Sequence, residues 1–180
     1  QRIPPVPNFQ RDNRQNQGGK LMGKKFSELR FEDWIEQSLL NKGYHSSFTH
    51  SGDHESRYSK DLCLVEDEVI SFIKSTQTDE YERLYTQFEE STDSHLLKKI
   101  SDSIASRGII KTLREGVSTR GCSFELLYFK PKSSLNKEHT DLYSRNKFQV
   151  VRQLHYSTRN RNSLDMVLFL NGIPIITMEL

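Results

Sequence analysis

Apolar residues recur at helical spacing between residues 26 and 108. Each such segment predicts an amphipathic helix whose apolar side faces a core. The spacing predicts helices over residues 27–41, 65–74, 79–88 and from 93 or 94 to 107. Ser27 and an acidic capping box at Asp79 are the expected start signals, and Gly108 is the expected stop signal.

After Gly108 the apolar residues alternate with polar ones or form continuous runs, which is typical of strands. The pattern predicts strands over residues 109–113, 124–129, 147–156 and 164–169, and another after Gly172. Asn171-Gly172 separates the last two apolar runs, and this dipeptide is the strongest local hairpin signal. Helices followed by strands predict an α+β fold with a mixed sheet, or an α/β fold whose sheet is flanked by helices.

The first 23 residues differ from the rest in composition. They contain three of the five prolines and a Gly-Gly pair, with few large apolar residues. Such a segment buries too little surface to offset its ordering entropy, so we expect an extended arm over 1–23 and one domain over 24–180. Because the chain starts at Gln1 and stops inside an apolar run at Leu180, we also expect a fragment of a longer protein.

Composition narrows the class of protein. The chain has 26 Lys and Arg against 24 Asp and Glu, a net charge of +2 that excludes a histone-like protein. No window approaches eighteen apolar residues, so no membrane span is expected. Cys63 and Cys122 are too few for a disulfide framework. We therefore expect a soluble protein of a reducing compartment, the cytoplasm.

Asp165 and Glu179 each interrupt an apolar strand, where an ionised group is costly unless it is paired or bound to a metal. A strict two-residue hairpin loop would turn Glu179 away from Asp165. A three-residue loop, or one bulge near Pro174, would instead set the two carboxylates side by side, about 5 Å apart. Such a pair would suit Mg²⁺, which prefers oxygen ligands. The alternative is that Asp165 forms a turn and Glu179 is an exposed edge residue.

Basic residues cluster just upstream of Asp165, among polar and aromatic side chains. They are Lys147, Arg152, Arg159 and Arg161. Binding to a nucleic-acid backbone is mostly neutralisation of phosphate charge, so these four residues are candidates for DNA binding. The alternative is a solvated face with ordinary salt bridges.

A series of short stretches covers most of the chain from residue 26 to its end. The most specific are residues 162–165, 167–174 and 179–180. The earlier ones are residues 26–32, 76–77, 108–110, 113–116, 124–129 with 131, 135–136, 143 with 146, 152–154 and 156–157. In this order they resemble the N-terminal domain of the R (restriction) subunit of type I restriction–modification enzymes.

The resemblance implies a Mg²⁺-dependent endonuclease with a PD-(D/E)xK-type core that cuts double-stranded DNA. Asp165 and Glu179 match the metal-binding Asp and Glu of that core. Glu32 is similar to the helical acidic residue that often completes the site, the alternative being an ordinary exposed carboxylate. Since the Lys of the motif would follow Leu180, we expect a truncated core that is inactive alone.

In this family the rest of the R subunit is an ATP-driven, helicase-like translocase that works with modification (M) and specificity (S) subunits. The chain lacks a GxxxxGK phosphate loop, so ATP binding is expected only outside it. Two other functions stay open: a silent docking or DNA-binding module with the same fold, and a repair-type nuclease of the same superfamily.

Overall fold

The computed structural model of the protein describes residues 20–46, 57–133 and 135–180, with side chains from residue 29 onward. The predicted arm lies outside the described residues except for residues 20–23, which are helical rather than extended. The helices are α1 (Lys20–Leu40), α2 (Glu66–Thr76), α3 (Thr78–Phe88), α4 (Thr92–Arg107), α5 (Ile109–Glu115) and α6 (Lys137–Ser144). A 3₁₀ turn at Glu89–Ser91 joins α3 to α4.

The strands form one larger sheet and two small ribbons. They are β1 (His45–Ser46), β2 (Tyr58–Ser59), β3 (Leu64–Val65), β4 (Val117–Thr119), β5 (Cys122–Phe124), β6 (Phe148–His155), β7 (Ser163–Leu170) and β8 (Ile173–Met178). The larger sheet has the order β1-β6-β7-β8, in which β1 is parallel to β6 and the other pairs are antiparallel. The predicted α+β fold with a mixed sheet is confirmed.

The sheet is covered on both faces. One face packs against α1, where Val150, Met166 and Leu168 contact Ile35 and Leu39. The other carries a second apolar cluster, formed by Tyr58, Val65, Val151, Leu154, Val167 and Phe169. The largest cluster lies among α2, α3, α4 and the β4–β5 ribbon. Because α1 lies on the sheet, its acidic residues are held close to β6.

The helix predictions agree with the structure over most of their length, while three predicted start signals differ, the first being Ser27, which lies inside α1. The helix predicted over 27–41 begins earlier, as α1. Helix α3 begins at Thr78 after Gln77, without a side-chain capping bond, so the predicted capping box at Asp79 is wrong. Helix α4 follows Ser91 rather than Asp93 or Ser94, and it ends at Gly108 as predicted.

The strand predicted over 109–113 is wrong, since these residues form α5. Ile109 and Leu113 are four residues apart, so both fit one side of a helix as well as a strand run. The buried Thr112 hydroxyl donates to the carbonyl of Ser103 at 3.1 Å and to that of Gly108 at 2.9 Å. These bonds tie α5 to the end of α4.

The strand predicted over 124–129 is confirmed only at Phe124, the last residue of β5. Beyond it, amide side chains replace a partner strand. The Glu125 N–H donates to Gln77 Oε1 at 2.7 Å, and its carbonyl accepts from Gln77 Nε2 at 2.9 Å. In the same way, the Tyr128 N–H donates to Asn146 Oδ1 at 3.1 Å, and the Tyr128 carbonyl accepts from Asn146 Nδ2 at 2.6 Å. The backbone is therefore satisfied without a sheet.

The β7–β8 hairpin turns at Asn171-Gly172, as predicted. Both residues have positive φ, +50° and +80°, which a tight hairpin turn of this type requires. The pairs are Leu170↔Ile173, Phe169↔Pro174, Leu168↔Ile176, Val167↔Thr177 and Met166↔Met178. Ile175 is the extra residue, so the predicted bulge near Pro174 is confirmed.

The described helices were also compared with the length and hydropathy that a bilayer crossing requires. None of them meets both requirements.

Candidate functional site

The hairpin bulge sets the position of the two candidate carboxylates. The last pair of the β7–β8 ladder is Met166↔Met178, and Asp165 and Glu179 are the next residues of the two segments beyond it. The N–H of Leu180 donates to Asp165 Oδ2 at 2.7 Å, which holds the end of the chain against β7. Asp165 is partly exposed and Glu179 is exposed, so solvent and ions can reach this place.

Gln153 lies opposite Asp165 on the other neighbouring strand, β6. It is flanked by the pairs Arg152↔Met166 and Leu154↔Leu164, and its φ is +51°. This backbone distortion interrupts the alternation of side chains, because Val151 and Leu154 pack in one cluster although alternation would separate them. The Gln153 amide nitrogen donates to Asp165 Oδ1 at 3.4 Å and to Glu32 Oε1 at 3.1 Å.

Glu32 is buried on the sheet side of α1, with 3% of its surface exposed. Its Oε2 accepts from Arg152 Nη2 at 2.8 Å and Nε at 3.0 Å, and its Oε1 accepts from Gln153. The alternative that Glu32 is an ordinary exposed helix carboxylate is therefore wrong. A buried carboxylate needs such partners, because an unpaired buried charge is very costly.

Arg152 is the cation of an acidic cluster formed with α1. Besides Glu32, its guanidinium donates to Asp33 Oδ1 at 2.5 Å and to Glu36 Oε2 at 3.2 Å. Burial acts to lower the pKa of Arg152, but its hydrogen bonds to these three carboxylates outweigh burial and raise that pKa above its ordinary value. Three carboxylates around one guanidinium leave the cluster net negative, close to Asp165.

Lys147 is also held by a structural ion pair. Its ammonium donates to both oxygens of Glu68, at 2.7 and 2.8 Å. Burial would raise the pKa of Glu68, but hydrogen bonds from Lys147, Arg57 and Gln149 lower it overall. The structure thus gives Lys147 and Arg152 a structural role, because each has acidic partners on a distant segment of the chain, and their DNA contact stays a prediction.

Arg159 and Arg161 lie in the exposed segment 156–162 between β6 and β7. The Arg161 carbonyl is hydrogen-bonded to His155 Nδ1 at 3.1 Å, and the Arg159 N–H donates a hydrogen bond to Ser157 Oγ at 3.0 Å. The segment contains no acidic residue. Within the described residues neither guanidinium forms an ion pair, so their DNA contact stays a prediction.

The donor set at the hairpin suits a hard cation. Within residues 20–46, 57–133 and 135–180, no three His, Cys, Asp or Glu side chains are grouped as a metal site. Glu32, the predicted third ligand, has its oxygens engaged by Arg152 and Gln153. Two reachable carboxylates beside a net negative cluster still fit Mg²⁺, which keeps several waters and needs one or two carboxylates.

Comparison with protein families supplies the deciding observation. The family model described as type I restriction enzyme R protein N terminus matches residues 25–180. The chain belongs to this family. It is thus an N-terminal domain of a type I restriction enzyme R subunit, and the matched residues run from α1 through the β7–β8 hairpin. Searches of curated proteins and of solved structures gave no match.

Three residues of this site, Asp33, Glu36 and Gln153, were missed by sequence reasoning. Gln153 lies in the stretch 152–154 that contributes to the resemblance to the R subunit family, and this is the available signal for it. Glu36 follows Glu32 by four residues, which places both on one side of α1. Neither signal reveals the tertiary partner, which is Glu32 for Gln153, 121 positions away, and Arg152 for Glu36, 116 positions away.

Proposed function

We propose that this R-subunit domain is a Mg²⁺-dependent endonuclease domain that acts on double-stranded DNA. The observation that carries the proposal is the β7–β8 register in a chain of the restriction enzyme family, since its last pair, Met166↔Met178, adjoins Asp165 and Glu179. Coupling to ATP-driven translocation, and assembly with M and S subunits, are proposed for the full R subunit.

Each residue of the site has a part in this proposal. Asp165 and Glu179 would hold the ion through their carboxylates. Those two carboxylates would thereby supply a Lewis acid that could polarise the scissile phosphate and activate a water. Arg152 fixes α1 to the sheet through Glu32, so the acidic surroundings of Asp165 keep their position. Arg159 and Arg161 would neutralise flanking phosphates without reading bases.

Asp165→Asn is expected to weaken Mn²⁺ binding by at least about 100-fold. Removal of a residue that only hydrogen-bonds to a metal ligand lowers metal affinity about 10–100-fold, and removal of the ligand itself should lower it further. The amide of Asn keeps the shape of the side chain while removing its charge. Mn²⁺ can be titrated into the 180-residue chain and followed by electron paramagnetic resonance, with the thermal unfolding midpoint recorded in metal-free buffer.

Asp102→Asn is the matched control, since Asp102 is an exposed carboxylate of α4 paired with Lys98 at 3.6 Å. It should leave Mn²⁺ binding unchanged. If Asp165→Asn binds Mn²⁺ as the unchanged chain does, Asp165 is not a ligand. If it instead lowers the unfolding midpoint strongly without metal, Asp165 is a structural turn residue.

Replacing Arg159 and Arg161 together by Ala is expected to weaken duplex binding and to reduce its salt dependence. Removing one phosphate contact should lower the slope of log K against log salt by about 1, so the double variant should lower it by about 2. Fluorescence anisotropy with a labelled duplex at several salt concentrations measures both the affinity and this slope.

The control for this double variant is Lys111→Ala with Arg114→Ala. It removes the same charge from exposed positions of α5. An equal reduction of slope in the control would mean that the duplex responds to net charge alone, which would contradict a specific role for the segment 156–162.

A silent docking module is the second candidate function. It is favoured by the engagement of Glu32 and by the absence, among the described residues, of a group of three potential ligands. It predicts that the chain binds no Mn²⁺ at the hairpin. The family match favours both of these functions over a repair-type nuclease.

A further inference from the structure

We propose that Gln153 is a positioning residue of the metal site, which orients the Asp165 carboxylate for the ion without binding the ion itself. The inference rests on the proposed function. It follows from the conformation of Gln153, from its three side-chain bonds and from its place between a buried ion pair and Asp165.

The backbone of Gln153 is strained inside a strand. A φ of +51° is rare for a residue other than glycine, and such a conformation persists only where surrounding contacts hold it. The strain turns the side chain toward α1. In a regular strand Gln153 would share the face of Val151, which packs in the cluster away from α1. In the distorted conformation the amide nitrogen lies 3.1 Å from Glu32 Oε1.

The Gln153 amide is held at both ends. Its nitrogen donates to Glu32 Oε1 and Asp165 Oδ1, and its oxygen accepts from Ser163 Oγ at 3.1 Å. Because ionised carboxylates only accept hydrogen bonds, the amide nitrogen must face them. Glu32 cannot move away, since Arg152 holds its other oxygen by two bonds.

Both oxygens of Asp165 are therefore fixed. Oδ1 accepts from Gln153, and Oδ2 accepts from the N–H of Leu180 at 2.7 Å. A carboxylate has about four lone-pair positions, so each oxygen keeps one for a cation. The Asp165 carboxylate is therefore restrained by a series of hydrogen bonds. These bonds run from Arg152 to Glu32, from Glu32 to Gln153 and from Gln153 to Asp165. Glu32 thus supports the site through Gln153 rather than by contact with the ion.

Gln153→Gly tests this role, because glycine adopts positive φ without strain and removes the amide. We expect the dissociation constant for Mn²⁺ to rise about 10–100-fold, as is typical when an outer partner of a metal ligand is removed. The unfolding midpoint of the metal-free chain should change by only a few degrees, because relief of strain offsets the missing hydrogen bonds. A purely structural role would lower the midpoint and leave the affinity unchanged.

Arg120→Gly is the matched control, since Arg120 has a similar φ of +52° in the β4–β5 turn. Gln153→Asn is the second variant, because Asn tolerates positive φ and keeps an amide that is one methylene too short for both carboxylates. It should bind Mn²⁺ about tenfold more weakly than the unchanged chain, within the range for an outer partner.

The outcomes distinguish a failure of the positioning role of Gln153 from a failure of the proposed metal site. Weaker Mn²⁺ binding in both Gln153 variants, with unchanged binding in Arg120→Gly, supports the positioning role. Unchanged or tighter binding in Gln153→Gly overturns that role while leaving the Asp165–Glu179 site in place. If the unchanged chain binds no Mn²⁺, the proposed function fails and the inference fails with it.

Discussion

Arg152→Met is expected to lower the free energy of unfolding by about 3–5 kcal/mol, because it leaves buried carboxylates without their cation. The Arg152 side chain is 15% exposed, and those of Glu32 and Glu36 are 4% and 10% exposed. Methionine fills a similar volume without charge. Urea unfolding followed by circular dichroism and by the fluorescence of Trp34, the only tryptophan, measures the change.

Lys98→Met provides the exposed comparison. Lys98 pairs with Asp102 four residues along α4, and the two side chains are 72% and 63% exposed. Such a pair contributes about 0.3–0.5 kcal/mol, so the control should change stability little. If Arg152→Met costs no more than Lys98→Met, the acidic cluster does not hold α1 on the sheet.

A rescue separates the effect of charge from that of packing. Adding Glu32→Gln to Arg152→Met removes one of the unpaired charges, and about 1–3 kcal/mol of stability should return, the usual coupling between residues in contact. The Arg152→Lys variant should be less stable than the unchanged chain, because an ammonium lacks the planar arrangement of donors with which a guanidinium bonds several carboxylates at once. No recovery in the double variant would assign the effect of Arg152→Met to packing.

Local signals account for the parts of the fold that the sequence predicts well. The β7–β8 hairpin follows from Asn171-Gly172, and its bulge follows from the one proline in the next strand, Pro174. Helices α2, α3 and α4 follow from apolar spacing together with Gly108. In each case neighbouring residues carry the cause, so the pattern alone is sufficient.

The errors arise where distant residues decide the structure. Residues 125–128 have the apolar pattern of a strand, but their backbone partners are the side chains of Gln77 and Asn146. The carboxylate partners of Arg152 on α1 are also absent from the sequence prediction, which concerns only its DNA contact. Gln153 gives no apolar signal, and its backbone angle depends on contacts with Glu32 and Asp165. Local spacing does not predict tertiary contacts of this kind.

Gly172→Ala should cost about 2–6 kcal/mol, combining positive-φ strain and overpacking, each of about 1–3 kcal/mol. Gly172 has φ +80°, and an added Cβ would lie 2.6 Å from the carbonyl oxygen of Val65 and 2.9 Å from the nitrogen of Val69. Both are backbone atoms of β3 and α2, so neither can yield as a flexible side chain could. The Gly172 carbonyl also accepts from the Val65 N–H at 2.9 Å, which fixes the close approach.

Gly121→Ala isolates the contribution of the clash. Gly121 has the same φ of +80°, but an added Cβ would meet no atom within 4 Å. It should therefore show the backbone strain alone, and the difference between the two variants in urea unfolding measures the close packing of the hairpin on α2. Because Asp165 and Glu179 directly follow the last pair of the hairpin, Met166↔Met178, Gly172→Ala should weaken Mn²⁺ binding where Gly121→Ala does not. Equal destabilisation in both variants would show that the turn does not need this contact.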